Sequence, residues 1–139
     1  MNLSSIMTKD VITVDMDTSL KTMYAMFEEG KFHHLLVIED EKLFGVISDR
    51  DVLKALSPFL NTFSEQDRDL STLKKRAHQI MSRNPITITK EASSKEAVQL
   101  MLQKNISCLP VISSEGEIEG IVTWKDLLNA YSQQVDISR

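Results

Sequence analysis

The chain contains an internal repeat, in which a segment near the N-terminus recurs position by position in the C-terminal half. Matched residues are separated by the same number of positions until the second copy gains a single extra residue near Glu115 and Gly116. Beyond that insertion the separation is one residue larger and again constant. The matched stretches are residues 6–8 with 80–82, 12–14 with 86–88, 35–38 with 109–112, and 45–53 with 120–128. Because one insertion at a turn is how duplicated segments diverge, the fold is expected to consist of two like units.

Each copy shows the same order of apolar runs, and this order predicts its secondary structure. A short β-branched run comes first, at residues 11–14 and 86–88, and is typical of a strand. Ser19 and Ser93 then stand at the N-cap positions of amphipathic helices. Two apolar runs separated by polar turn residues predict adjacent strands, and a closing helix begins near Asp49 or its counterpart. Each unit is therefore expected to fold as β-α-β-β-α.

The domain organisation follows from the repeat. The fold class is predicted to be α/β, with the first repeat in residues 1–56 and the second in residues 77–139. The connecting segment, residues 57–76, is mixed and charged, and the apolar positions in its second half keep a helical spacing. We expect this segment to be partly helical.

Composition excludes several classes of function. A formal net charge of −4 argues against a surface that covers nucleic-acid phosphates. Cys108 is the single cysteine, so an intrachain disulfide and a thiolate zinc site are excluded. The chain shows no targeting signal and no apolar run long enough to cross a bilayer. We therefore expect a cytoplasmic protein that binds neither nucleic acid nor membrane.

Motifs for catalysis are not recognisable in the sequence. The four glycines are dispersed rather than gathered in a phosphate-binding loop, and no serine lies in a nucleophile elbow. His33 and His34 are adjacent, so on a strand they point to opposite faces and do not easily chelate one metal. The sequence predicts a protein that is not an enzyme and that requires no cofactor or metal.

The same polar pattern ends both copies: glycine, two hydrophobic residues, a hydroxyl residue, any residue, a basic residue and aspartate. A hydroxyl and a base at the start of a helix suit an anion, and the aspartate can accept two hydrogen bonds from the vicinal hydroxyls of a ribose. Serine, threonine and aspartate also cap helices without any ligand. For one copy capping would be the better interpretation, but retention of all three residue types in both copies favours a ligand. The residues are Ser48, Arg50 and Asp51, and Thr123, Lys125 and Asp126.

With the Ile-Met start of each copy and the Leu-Pro-Val-Ile run at residues 109–112, this doubled ending resembles a CBS-domain pair, or Bateman module. The similarity extends from about Leu3 to Tyr131, apart from the connecting segment. The resemblance implies two tandem β-α-β-β-α repeats packed with pseudo-twofold symmetry and two clefts between them. It also implies a homodimer, with an adenine nucleotide or S-adenosylmethionine as the regulatory ligand.

The resemblance further implies which residues line each cleft, because each cleft would draw on both repeats. Val46 or Ile121 would pack on the base. The first set would join Ser48, Arg50 and Asp51 with Ile86, Thr87, Ser107, Cys108 and Leu109; the second would join Thr123, Lys125 and Asp126 with Ile12, Thr13, His33, His34 and Leu35. On this assignment the Asp126 cleft, with two histidines, would bind the more highly charged ligand more tightly, increasingly so at lower pH.

The leading hypothesis is a stand-alone regulatory module that senses an adenosine-containing ligand and passes its occupancy to an unknown regulated protein or to its own oligomer. The alternative is a structural dimerisation module without a ligand. A small nucleotide hydrolase is a third interpretation, but the sequence shows no evident base, nucleophile or metal cage for it.

Overall fold

The computed structural model describes residues 2–137, with side chains described for residues 2–133. The chain forms two compact units. The first unit is Ile12–Asn84, and the second combines Pro85–Arg139 with the N-terminal segment Met1–Val11. Each repeat is thus separated from its own first residues, which we call its leader: residues 1–11 for the first repeat and 77–84 for the second.

The first unit is built on a four-stranded sheet in the order β1-β2-β3-β4, in which β1 is parallel to β2 and the other pairs are antiparallel. Its strands are β1 (Thr13–Asp15), β2 (His34–Glu39), β3 (Lys42–Ser48) and β4 (Ser82–Arg83). Its helices are α1 (Leu20–Glu29), α2 (Asp49–Ala55), α3 (Asp67–Ser71) and α4 (Ala77–Ile80), with a 3-10 turn at Thr72–Lys74. The sheet joins the body of the first repeat to the leader of the second.

Local sequence explains the elements of this unit. The Ser19 hydroxyl accepts a hydrogen bond from the Thr22 amide and so caps α1, as predicted. Asp40 and Glu41, both with positive φ, form the tight turn that joins β2 to β3. The apolar faces of the strands and helices then meet in one core of Val14, Leu20, Met23, Leu35, Val37, Ile47, Val52, Ala77 and Met81.

The second unit contains the antiparallel pair β5 (Cys108–Ile112) and β6 (Ile118–Thr123), with helices α5 (Ser94–Lys104) and α6 (Trp124–Ile137) and a 3-10 turn at Leu3–Ser5. The Ser93 hydroxyl caps α5 by accepting from the Glu96 amide. The leader residue Leu3 is completely buried and shares a core with Ala97, Met101, Leu109, Val111, Val122 and Leu127. The body of the second repeat therefore folds around the leader of the first.

The two leaders explain the glycine that opens each polar pattern. Thr8 pairs with Ile121 on β6, and Ser82 pairs with Val46 on β3. A Cβ atom at Gly120 would lie 2.8 Å from the Thr8 carbonyl oxygen, and one at Gly45 would lie 2.5 Å from the Met81 sulfur. Only a residue without a side chain allows a leader to approach the strand this closely.

The predicted α/β class and the β-α-β-β-α order of the first repeat are confirmed, with one difference in the second repeat. Residues 86–88 were expected to form a strand, yet only Ile88 pairs, in an isolated parallel bridge to Val111. In the first repeat the Leu36 amide donates to the Ile12 carbonyl at 3.0 Å. The counterpart of Leu36 is Pro110, which has no N–H to donate, so the equivalent bond is lost.

The connecting segment is ordered by a buried carboxylate. Asp69 is only 4% exposed, and its two oxygens accept hydrogen bonds from the Ser57 hydroxyl at 2.6 Å and the Gln66 amide at 2.8 Å. The Ser57 hydrogen bond, followed by that from Gln66, holds the pKa of Asp69 below its usual value of 3.8. The ionised carboxylate thus ties the start of the segment to α3.

Candidate functional site

The polar pattern of the first repeat lies at the junction of β3 and α2. The Ser48 amide donates to Asp51 Oδ2 at 2.8 Å, and the Asp51 amide donates to Ser48 Oγ at 3.1 Å, which forms a reciprocal capping box. The capping role weighed in the sequence is therefore present. A carboxylate has about four lone-pair sites, and Asp51 Oδ1 accepts no hydrogen bond from any residue that the structure describes. Capping leaves this oxygen available to a ligand.

The pattern of the second repeat lies at the junction of β6 and α6 and has the same core geometry. Asp126 Oδ2 accepts from the Thr123 amide at 3.0 Å and from the Thr123 hydroxyl at 3.2 Å. The Asp126 carboxylate also accepts from the Thr8 hydroxyl, at 3.1 Å to Oδ1 and 3.3 Å to Oδ2. Sequence reasoning missed Thr8 as a functional residue, although the repeat aligned it with Ser82 and so marked a hydroxyl in both leaders.

The two histidines lie beside the polar pattern of the first repeat. His34 pairs with Ser48 across the β2–β3 ladder, and the His33 carbonyl accepts from the Asp49 amide at 3.0 Å. His33 Nδ1 is 2.8 Å from Asp49 Oδ2, an interaction that adds little stability because the two side chains are 70% and 43% exposed. Within the first unit, the start of α2 therefore brings the imidazole of His33 to Asp49, and that of His34 within electrostatic reach of Asp49 and Asp51.

His34 is the more shielded of the two histidines. Desolvation by burial lowers the pKa of His34 below its usual value of 6.5, while the carboxylates of Asp49 and Asp51 oppose this shift and His33 adds to it. The imidazole is therefore neutral at pH 7 in the ligand-free protein. An additional negative charge nearby would raise its pKa and favour the protonated form.

The other predicted site residues occupy the surroundings of these two junctions. Arg50 and Lys125 are exposed in the first turns of α2 and α6, next to the aspartates. Ile12 immediately precedes β1 and Thr13 begins it, Val46 is half-buried on β3, and Ile121 is buried on β6. Cys108 is buried opposite Thr123, and the Trp124 amide donates to the Ser107 carbonyl, whereas Ile86 and Thr87 are half-buried in the irregular segment before Ile88.

The structure thus gathers two local sets. The first-unit set consists of Ser48, Arg50 and Asp51 with His33 and His34, and the second-unit set consists of Thr123, Lys125 and Asp126 with Thr8, Ser107 and Cys108. The assignment of each set to residues of the other repeat stays a prediction.

Neither set resembles a metal centre or a membrane segment. Within the described residues, no group of three or more histidine, cysteine, aspartate or glutamate side chains is placed to hold a metal ion. No helix in the same part of the chain is long and apolar enough to cross a bilayer.

The parts of the chain that match known proteins contain both the first-unit and the second-unit set. The family model described as "CBS domain" matches twice, at residues 3–58 and 77–133. A CBS domain-containing protein of Dictyostelium discoideum is 35% identical over 129 residues, which are 91% of this chain and 88% of that protein. An inosine-5'-monophosphate dehydrogenase of Korarchaeum cryptofilum is 35% identical over 123 residues, but these cover only 23% of the enzyme.

Solved structures give the same result. The CBS domain pair of protein MJ0100, in complex with 5'-methylthioadenosine and S-adenosyl-L-methionine, matches with a TM-score of 0.79 and 25% identity over 96% of this chain and 98% of that one. CBSX2 of Arabidopsis thaliana, in complex with AMP, matches with a TM-score of 0.78 and 26% identity over 99% and 98% of the two chains. With two family matches and relatives of similar length, this chain belongs to the CBS domain family and carries the domain as a tandem pair.

Proposed function

We propose that this CBS pair is a non-catalytic regulatory module that binds an adenosine-containing ligand through the first-unit and second-unit sets. The candidates are AMP, ADP, ATP and S-adenosylmethionine, and occupancy would be passed to a regulated protein or to the oligomer of the chain itself. The relatives solved with AMP and with S-adenosyl-L-methionine support this choice of ligands. The observation that carries the proposal is the Asp51 carboxylate, which caps α2 with Oδ2 and keeps Oδ1 open.

The aspartate suits a ribose because its acceptor geometry is fixed before the ligand arrives. Asp51 Oδ2 is held by the Ser48 amide, so the carboxylate does not lose rotational freedom on binding. A vicinal diol places two donors at a spacing that two carboxylate oxygens accept together. A ligand without a ribose would lack this pair of bonds and bind less tightly.

The first-unit set offers more side chains that carry or can take up a positive charge to the phosphate end of the ligand. The β2–β3 ladder places His34 opposite Ser48, and Arg50 lies in the same turn of α2. The sequence places the histidines in the Asp126 cleft, but this local arrangement supports a role for them beside Asp51. We therefore propose that the first-unit set takes the more highly phosphorylated ligand, and the second-unit set, with Lys125 as its cation, a less charged one.

Self-association into a homodimer is the second part of the proposal. Leu53 on α2 and Leu128 on α6 occupy equivalent positions in the two repeats and are 62% and 60% exposed. Tyr131, one turn further along α6, is 65% exposed. Leucines repeated at matching exposed positions support burial against a second copy of the chain.

Calorimetric titration with AMP, ADP, ATP and S-adenosylmethionine tests the ligand proposal. Asp51→Asn keeps an oxygen that accepts from the Ser48 amide but removes the charge, so it is expected to lower affinity about tenfold or more with little change in folding. Asp67→Asn, an acidic first-turn residue of α3 outside both sets, is the matched control and should bind as wild type. If none of the four ligands binds at millimolar concentration and none raises the melting temperature, the ligand proposal is refuted and the alternative of a structural dimerisation module is favoured.

A further inference from the structure

The second-unit set contains a hydroxyl that occupies its own carboxylate. Thr8 is fixed on β6 by two backbone hydrogen bonds, from its amide to the Ile121 carbonyl and from the Ile121 amide to its carbonyl, both of 2.9 Å. From this position its hydroxyl lies across the Asp126 carboxylate, 3.1 Å from Oδ1 and 3.3 Å from Oδ2. Oδ1 is the oxygen that the capping bonds from Thr123 leave open, since both of those bonds end on Oδ2.

The first-unit set has the equivalent residue without the equivalent bond. Ser82 pairs with Val46 on β3 as Thr8 pairs with Ile121 on β6. Within the described residues, however, the Ser82 hydroxyl makes no hydrogen bond to Asp51, whose only acceptor bond comes from the Ser48 amide. The duplicated architecture therefore holds one occupied and one open carboxylate.

We infer that Thr8 is a specificity-determining residue, which competes with the ribose diol for Asp126 and makes the second-unit set the weaker of the two. A diol that binds both carboxylate oxygens must share their lone-pair sites with the Thr8 hydroxyl, which lies within hydrogen-bond distance of both, whereas Asp51 imposes no such competition. The inference rests on the proposed function. Because the Thr8 bond is solvent-exposed, its loss should tighten binding about fivefold, the value for an ordinary hydrogen bond and below that for a buried bond to a charged group.

The test uses AMP as the probe and the full chain throughout. Thr8→Val removes the hydroxyl while a β-branched side chain preserves the pairing with β6. It is combined with Asp51→Asn, which weakens the first-unit set so that calorimetry reads mainly the second-unit set, and separately with Asp126→Asn. The inference expects about fivefold tighter AMP binding in the Asp51→Asn background and no change in the Asp126→Asn background. Ser82→Ala, the matched control in the other leader, should leave both affinities as they were.

Each outcome separates this inference from the function on which it rests. Unchanged AMP affinity on Thr8→Val, in a protein whose Asp51→Asn variant has lost affinity, overturns the inference and leaves the proposed function standing. Weaker binding on Thr8→Val also overturns it, because the hydroxyl would then contact the ligand instead of competing with it. If wild type and all variants fail to bind AMP or any other adenosine ligand, the proposed function falls and this inference falls with it. Circular dichroism confirms that each variant is folded.

Discussion

Alanine at Gly120 is expected to destabilise the protein more than alanine at Gly45, although the two glycines are equivalent positions of the repeat. At Gly120 the new Cβ would meet the Thr8 carbonyl oxygen at 2.8 Å, whereas ordinary contact begins at about 3.4 Å. The leader must therefore retreat by about half an ångström. At Gly45 the obstacle is the Met81 side chain, which is flexible and can adopt another rotamer.

The magnitude follows from the bonds that hold the leader. Retreat of Thr8 stretches two backbone hydrogen bonds of 2.9 Å beyond the usual range, and each is worth about 1 kcal/mol. Replacing glycine restricts the unfolded chain and returns about 0.5 kcal/mol, so Gly120→Ala should lose about 1.5 kcal/mol. For Gly45→Ala, overpacking against Met81 costs about 1 kcal/mol before the same return, which leaves about 0.5 kcal/mol.

Urea denaturation and thermal melting of both variants measure this difference. The expected gap of about 1 kcal/mol corresponds to roughly 3 °C in melting temperature for a chain of this size. Adding Met7→Ala to Gly120→Ala should not restore stability, because the clash with the Thr8 backbone remains. Equal losses from the two alanine variants, or recovery on removal of the Met7 side chain, would refute the argument from backbone approach.

Three further predictions concern other parts of the chain. Asp69→Asn should lower the free energy of unfolding at pH 7. The difference from wild type should shrink in acid, because the folded pKa of Asp69 lies below 3.8 and the stabilisation by its carboxylate is lost as the pH falls through that folded value. Urea denaturation of both proteins at pH 7 and pH 3 measures this difference. ATP affinity, measured by calorimetry, should rise from pH 7 to 5.5 as His34 takes up a proton, and His34→Gln should reduce this dependence of affinity on pH. An equal pH dependence in both proteins contradicts the assignment of His34 to the first-unit set. Leu128→Glu should shift the chain to monomers in analytical ultracentrifugation, and Leu102→Glu, at an exposed leucine of α5, is the control for this variant. A monomeric wild type contradicts the dimer proposal.

Local patterns were sufficient to predict the β-α-β-β-α order of the first repeat, since its helices and strands are specified by neighbouring residues. Ser19 and Ser93 cap the helices because a hydroxyl at that position satisfies an amide within the next turn. The missing strand at residues 86–88 was also foreseeable in principle, because Pro110 stands in the partner strand without an N–H. The polar patterns lie at strand–helix junctions for the same local reason.

The surroundings of the two aspartates depend on pairing across the chain, which no local pattern contains. Counting register back from the Asp40–Glu41 turn would have placed His34 opposite Ile47, and only the bulge between Val37 and Ile38 brings it opposite Ser48. Thr8 was out of reach for another reason. It meets Asp126 across 118 residues of chain, through an isolated bridge and not through a periodic strand.

The exchange of leaders explains why a duplicated sequence yields two unequal carboxylates. Residues 12–84 contain every member of the first core, including Ala77 and Met81, whereas residues 1–56 lack both. The folding unit is therefore not the repeat that was duplicated, and the leader of the opposite copy supplies the Thr8 hydroxyl to Asp126, whereas Ser82 in the other leader pairs with β3 through its backbone. The difference between Thr8 and Ser82 thus changes the surroundings of one carboxylate without altering the strand, helix or capping bonds that hold the other.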